Sequence, residues 1–316
     1  MSCLFQVESG VINTKPKVEL PVGNQLTDKM LSFEAVQPLY TLNDLIVPKN
    51  TLKGITDFLS YQKHSDLVYN QWGLSKTHSH LKQIAINLYG LPGTGKTMAA
   101  HAIASALKRP MFAVNYADIE SKYVGETSKN LTRLFKEAEL IDAIIFFDEA
   151  DAMLSRRVTN MSNSTDVSVN QTRSVLLTLM NNHKGLIIFT TNFIENYDPA
   201  FMRRIISHIY FDLPDLENRK ILWDRYIPNS LPHSADLSEL AKSSEGLSGS
   251  DIANIVLKSA LSAASNQQSE VSMANFNSAI NEIKNSKIAN QKAINHSSKI
   301  QTNIVSQEYV HSQLGV

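Results

Sequence analysis

Two stretches of this 316-residue chain have residue types and spacings suited to handling a phosphate chain. The first, Gly90-Leu-Pro-Gly-Thr-Gly-Lys-Thr97, fits the pattern G-x-x-x-x-G-K-[ST]. Glycines there let backbone N–H groups close around a β-phosphate, and a helix starting at that point favours an anion. Lys96 is expected to reach the β- and γ-phosphates, and the Thr97 hydroxyl to ligate Mg²⁺. Pro92, Gly93, Thr94, Gly95 and Met98 complete the expected loop contacts. The second stretch, Ala143-Ile-Ile-Phe-Phe-Asp-Glu-Ala-Asp151, is an apolar run ending in Asp148, which suits the water shell of Mg²⁺. Glu149 then stands where a carboxylate orients and activates an attacking water. A carboxylate at that place separates a hydrolase from a nucleotide-dependent switch or scaffold. Asp151 is expected to be a helix cap or a surface residue.

Positioning these groups takes strands and helices in alternation. Five short apolar runs recur, at Ile84–Tyr89, Met111–Asn115, Ala143–Phe147, Leu186–Thr190 and His208–Phe211. Runs this short, alternating with helical patterns, predict a buried parallel sheet in an α/β domain. Helices are expected over Lys96–Leu107, Ser128–Glu139 and Val169–Asn182. Leu52, Ile55, Phe58 and Leu59 give an earlier helix one apolar face. After Pro214 the strands stop. Leu216–Tyr226, Leu237–Ser243, Gly249–Ala264 and Met273–Ile283 predict a small all-α unit. The expected organisation is an irregular arm over 1–40, an α/β domain over 41–213, a helical domain over 214–285 and a polar extension over 286–316.

Composition narrows the function classes. Thirty Lys and Arg balance thirty Asp and Glu, which argues against sequence-independent nucleic-acid binding. One cysteine, Cys3, excludes an intramolecular disulfide and any multi-cysteine metal site. No apolar run approaches the roughly 18 residues of a membrane span, and the first residues lack a signal-peptide pattern. A cytoplasmic protein is expected. His78 and His80 form an isolated His-x-His without a third ligand nearby in sequence, so no metal site is expected there. Trp72 and Trp223 are expected to pack inside.

Taken together, the motifs resemble those of the AAA+ ATPases, and of the AAA subgroup in particular. The resemblance covers about residues 40–285. It implies a P-loop core with a five-stranded parallel sheet and helices on both faces, plus an all-α lid, working with ATP and Mg²⁺. Thr190-Thr191-Asn192 ends the fourth strand where the family keeps its sensor 1 residue, so Asn192 is expected to bond the γ-phosphate and the attacking water. Asn192 to Arg204, with Asp198-Pro199 and the pair Arg203-Arg204, resembles the subgroup's second region of homology. Its arginines act on a neighbouring subunit's ATP, which implies a ring, most often a hexamer. Gly246-Leu-Ser-Gly249-Ser250-Asp251-Ile resembles the start of the lid helix bearing sensor 2. Ser250 stands where some branches carry an arginine, so Gly249 and Ser250 are expected to line base and ribose.

The resemblance also implies a target. Tyr123-Val124-Gly125 lies where polypeptide-threading members place a pore loop, and an aromatic side chain there grips a chain with little regard to its sequence. Arg156–Val167 occupies the place of a second pore loop. The expected function is a homo-oligomeric remodeller that pulls a segment of a partner protein through its pore. Tyr69–Leu74, Asn115–Thr127 and Arg203–Ile209 look similar to compact bacterial members related to the remodellers of HORMA-domain complexes in antiphage defence. The alternative is a clamp-loader or replication-type ATPase acting on DNA.

Overall fold

The computed structural model describes residues 33–77, 84–115, 126–155, 164–192 and 197–300. All five apolar runs become strands. These are β1 (Ile84–Gly90), β2 (Met111–Asn115), β3 (Ile144–Asp148), β4 (Leu186–Thr191) and β5 (Ile205–Phe211). They form one sheet in the order β2-β3-β4-β1-β5, with every pair parallel.

The central strands β1, β3 and β4 bury both faces, as a parallel sheet covered by helices requires, while the edge strands β2 and β5 expose alternate residues. Alternate residues sort into two cores. On one face Ile145, Phe147, Ile187 and Phe189 pack against α3 (Glu126–Leu140), α4 (Asp151–Leu154) and α5 (Ser164–Asn182). On the other, Ile86, Leu88, Phe146 and Ile188 meet α1 (Lys49–Asp66) and α2 (Lys96–Ala106). Ala99, Ala100, Ile103 and Ala104 of α2 are fully buried; the three alanines let this helix lie close to the sheet, which fixes the height of Lys96 above it.

After the short α6 (Pro199–Met202) and β5, four helices follow: α7 (Leu216–Tyr226), α8 (Leu237–Ser243), α9 (Gly249–Ser265) and α10 (Met273–Ile300). They have a third core of their own, centred on Trp223 and Phe276. Those rings meet edge to face at 5.7 Å, and the Trp223 Nε1–H donates to Ser244 Oγ at 3.0 Å. Among the described residues, no helix is long and apolar enough to cross a membrane.

The departures from expectation have physical reasons. β5 begins at Ile205 rather than His208, because Ser207 and His208 interrupt its apolar run on an edge strand. α5 starts five residues before Val169, and α10 continues past Ile283 through a polar stretch without Gly or Pro to stop it. Trp72 does not pack inside: it is 67% exposed, beyond a π-helical turn at Leu67–Gln71. Leu52 also faces out, while Ile55 and Phe58 are buried. The described end of the irregular arm is anchored. Val36 exchanges two backbone hydrogen bonds with Met111, at 2.8 and 3.0 Å, and covers the β2 edge. Further on, the Leu39 N–H donates to Nδ1 of His101 on α2 at 3.3 Å.

Candidate functional site

The loop after β1, the carboxyl end of β3 and the polar end of β4 converge at one edge of the sheet. Lys96 follows Gly95, whose φ of +96° lies in the left-handed region that glycine enters without cost. The Lys96 side chain folds back over the loop. Its Nζ donates to the carbonyls of Gly90 at 2.7 Å and Leu91 at 2.9 Å and to Asn192 Oδ1 at 3.0 Å. It is 8% exposed. Burial draws its pKa below the ordinary value, while Asp148, Asp151 and Glu149 pull it back up.

Thr97 Oγ1 donates to the Asp148 carboxylate, at 3.0 and 3.3 Å to its two oxygens. A hydroxyl and a carboxylate held together are hard oxygen donors, the kind Mg²⁺ takes. From the other side Thr190 Oγ1 makes a short hydrogen bond to Asp148 Oδ1. The same hydroxyl accepts the Glu149 N–H at 3.1 Å. Glu149 has φ +50°, a conformation costly for a residue with a Cβ and found where surroundings enforce it. The turn leaves its side chain exposed at the cleft.

Behind these groups lies a polar layer that the sequence did not reveal. Asn87, fully buried in mid-β1, accepts from Thr191 Oγ1 and donates to the Tyr197 hydroxyl, both at 3.4 Å. Burial pushes the Tyr197 phenol up to about 12. Asp151 is a correction. Ala150, not Asp151, precedes α4 as its cap, and both Asp151 carboxylate oxygens lie 3.2 Å from the Asn192 backbone nitrogen. The signals in the sequence are one polar residue, Asn87, inside an apolar β1 and the Thr190-Thr191 pair closing β4.

The cleft has two joined halves. One, of about 310 Å³, is lined by Lys96, Thr97, Asp148, Glu149, Asn192 and Ser250. The other, about 380 Å³ and mostly apolar, is lined by Leu45–Pro48, Pro214, Leu222 and Gly249. Gly93, Gly95, Met98 and Tyr226 line both. Gly249 and Ser250 therefore face different halves. No motif marked Ile46, Val47 or Tyr226, since this half joins segments far apart in sequence.

The helical unit closes over the loop. The Ser250 N–H donates to the Gly93 carbonyl at 3.3 Å. Gly93 has φ +76°, and a Cβ on it would lie 1.9 Å from Ser250 Oγ. Ser248 caps α9, in a capping box with Asp251. Across the apolar half, Arg225 donates to the Asp44 carbonyl at 2.5 Å.

The paired arginines differ. Arg204 donates to Asn181 Oδ1 at 2.6 Å and to the Ala200 carbonyl at 2.7 Å. Arg203 is exposed, and neither arginine lines the cleft of its own chain. Tyr123, Val124, His78, His80 and Arg156–Asn163 lie outside the described residues.

Comparison with known proteins agrees with this geometry. Residues 86–213 match the family model described as "ATPase family associated with various cellular activities (AAA)", and residues 234–278 match the AAA+ lid domain. The chain is 36% identical over 204 residues to the ATP-dependent zinc metalloprotease FtsH of Ralstonia pickettii, covering 62% of this chain and 28% of the relative. It is 34% identical over 231 residues to Cell division protein C of Sulfolobus acidocaldarius, covering 70% and 59%. Against the YME1 homolog of Schizosaccharomyces pombe, identity is 32% over 240 residues, covering 71% and 32%. The chain thus spans from about a quarter to somewhat under two thirds of the length of these relatives. The fold is that of the FIGL-1 AAA domain crystal structure, at TM-score 0.64 and 24% identity, covering 78% of this chain and 84% of that one. The chain carries an AAA-family ATPase domain, which hydrolyses ATP with Mg²⁺, followed by an AAA+ lid.

Proposed function

We propose that the protein is a homo-oligomeric ring, a hexamer, which spends ATP to pull a segment of a partner protein through its centre, and that it works in the cytoplasm, where ATP is supplied. The observation that carries this reading is the exposed Arg203. A guanidinium outside its own cleft supports a site completed by a neighbour.

Within the cleft the proposed roles follow from position. The Gly93–Gly95 backbone, Thr94, Pro92 and Met98 enclose the nucleotide beside Lys96, while Gly249 and the apolar half take base and ribose, and Ser250, expected to share that task, faces the phosphate half instead. Thr97 and Asp148 would hold Mg²⁺, which neutralises charge on the β- and γ-phosphates. Glu149 accepts the proton of the attacking water as general base. Asn192 orients that water and the γ-phosphate. Arg203 stabilises charge on the neighbour's γ-phosphoryl group. Arg204, tied to α5 and α6, contributes from the same turn.

Tyr123 and Val124 are the gripping pore residues in this mechanism. The substrate is a HORMA-domain protein of an antiphage system, supported by the sequence resemblance of Tyr69–Leu74, Asn115–Thr127 and Arg203–Ile209. Mixing two inactive variants tests the ring: Glu149→Gln and Arg203→Ala together should recover ATPase activity that neither has alone. Recovery requires sites built from two chains. Absence of recovery, or full activity of Arg203→Ala, would overturn the shared site. Glu149→Gln purified with ATP should retain the partner, and the loss of that partner on Tyr123→Ala tests the pore.

A further inference from the structure

We infer that Asp151 is a positioning residue for ATP hydrolysis, which acts by seating Asn192 opposite Lys96. The inference rests on the proposed role of Asn192.

Asn192 is the residue after β4, where ladder hydrogen bonds end. Its side chain meets the Lys96 ammonium at 3.0 Å, so its backbone needs a support that the sheet no longer gives. Asp151 supplies it, with both carboxylate oxygens 3.2 Å from the Asn192 backbone nitrogen. A charged acceptor on a backbone N–H is stronger and more directional than a neutral one.

The support is itself rigid. Asp151 opens α4, and the preceding Ala150 donates its N–H to the Thr190 carbonyl at 2.9 Å. At the far end of α4 the Asp198 N–H donates to the Leu154 carbonyl at 2.9 Å, and Ser155 bridges Tyr197. α4 thus holds the chain on both sides of the segment that follows Asn192. Asp148 and Glu149 are placed by the strand, and Asn192 is placed against them by the next helical turn. Asp151 also counts among the carboxylates that hold Lys96 charged, so loss of charge and loss of seating must be told apart.

Three variants do so, read by steady-state ATPase kinetics and thermal unfolding. Asp151→Ala should lower kcat on the order of 10- to 100-fold, the loss that follows a misplaced reacting group, with KM for ATP within about threefold. Asp151→Asn keeps an oxygen acceptor without charge and should recover most of the activity. In the double variant Asp151→Ala, Asn192→Ala, kcat should fall no further than in Asn192→Ala, because groups acting as a unit are not additive. Additive losses, or an Asp151→Asn variant as impaired as Asp151→Ala, would overturn the seating role. So would a wild-type kcat for Asp151→Ala. If Asp151→Ala fails to fold, Asp151→Asn decides: near-normal kcat with a normal melting temperature supports seating, and a large loss refutes it. An Asn192→Ala variant of normal kcat would instead remove the underlying role of Asn192, a distinct failure.

Discussion

The Lys96 ammonium donates to the side-chain oxygen of Asn192 across 3.0 Å, although 96 positions separate them. The same ammonium is held by two carbonyls of its own loop. Three acceptors therefore gather one buried cation at the point where phosphate oxygens are to sit.

Removing that cation should abolish tight nucleotide binding. Lys96→Ala is expected to weaken ATP binding by at least about tenfold, the scale of one charge-assisted hydrogen bond. Titration with a fluorescent ATP analogue measures it. At one fixed ATP concentration the melting temperature of Lys96→Ala should rise less than that of the native protein.

Glu149 should separate binding from turnover. Its side chain is exposed at the cleft, and its backbone N–H is fixed by Asp148 and Thr190. Glu149→Gln keeps size and hydrogen bonding but loses the base. Phosphate release is expected to fall roughly 10²–10⁴-fold with ATP affinity kept within a few-fold. Activity surviving this change would exclude Glu149 as the base.

The arginines should part company in their side effects. Arg203→Ala is expected to cost on the order of 10³ in kcat with an unchanged melting temperature. Arg204→Ala should also unfold earlier, by roughly 2 °C, since it strands Asn181 Oδ1 and the Ala200 carbonyl. Differential scanning fluorimetry beside the phosphate assay distinguishes them.

Gly93 tests the contact with the lid. A methyl group there meets Ser250 Oγ at 1.9 Å and keeps a left-handed φ. Gly93→Ala should cost on the order of 1–3 kcal/mol and weaken ATP binding. Ser248 Oγ would lie 2.7 Å from the same Cβ, so adding Ser250→Gly relieves only the nearer contact and should restore part of the affinity, while the backbone cost stays. No rescue would mean that the Ser250 hydroxyl is not what the added methyl disturbs.

The pH dependence of stability should carry a histidine signature. Burial lowers the His183 pKa from its ordinary 6.5, with Glu139 opposing. His183 Nδ1 faces the Glu139 carboxylate at 3.3 Å, so Nδ1 carries the proton and buried Nε2 has no hydrogen-bond partner among the described residues. The folded state thus binds this proton less readily than the unfolded chain. Its contribution to stability is complete above about pH 6.5 and is lost as pH falls from there through the lowered folded pKa. His208, also lowered by burial, adds in the same sense. Melting temperature should fall from pH 7 to 5, and His183→Gln should flatten that slope.

The catalytic groups were legible because phosphate chemistry demands particular side chains at fixed spacing along one strand and turn. Lys96, Thr97, Asp148 and Asn192 met as their motifs imply. What stayed hidden is assembled across the fold. The apolar half of the cleft joins Ile46 and Val47 to Tyr226, and its residues are ordinary core types with no local pattern. The contact of Asp151 with Asn192 is hidden for the same reason: a carboxylate at the start of a helix looks like a cap until β4 is seen beside it. Strand ends suffered where polar residues such as His208 sit on an edge.

Strand order gives the site one further property. β4 lies between β1 and β3, so the loop bearing Lys96 and the carboxylate of Asp148 stem from strands two steps apart, about 10 Å at the usual spacing. That interval is set by backbone pairing alone and does not drift with side-chain motion. Whatever residue ends β4 stands in the interval by necessity. Evolution can change its type but not its address, and the chain has put Thr190 facing the carboxylate and Asn192 facing the ammonium. The middle strand is a built-in gauge of what occupies the gap, with a separate contact for each wall.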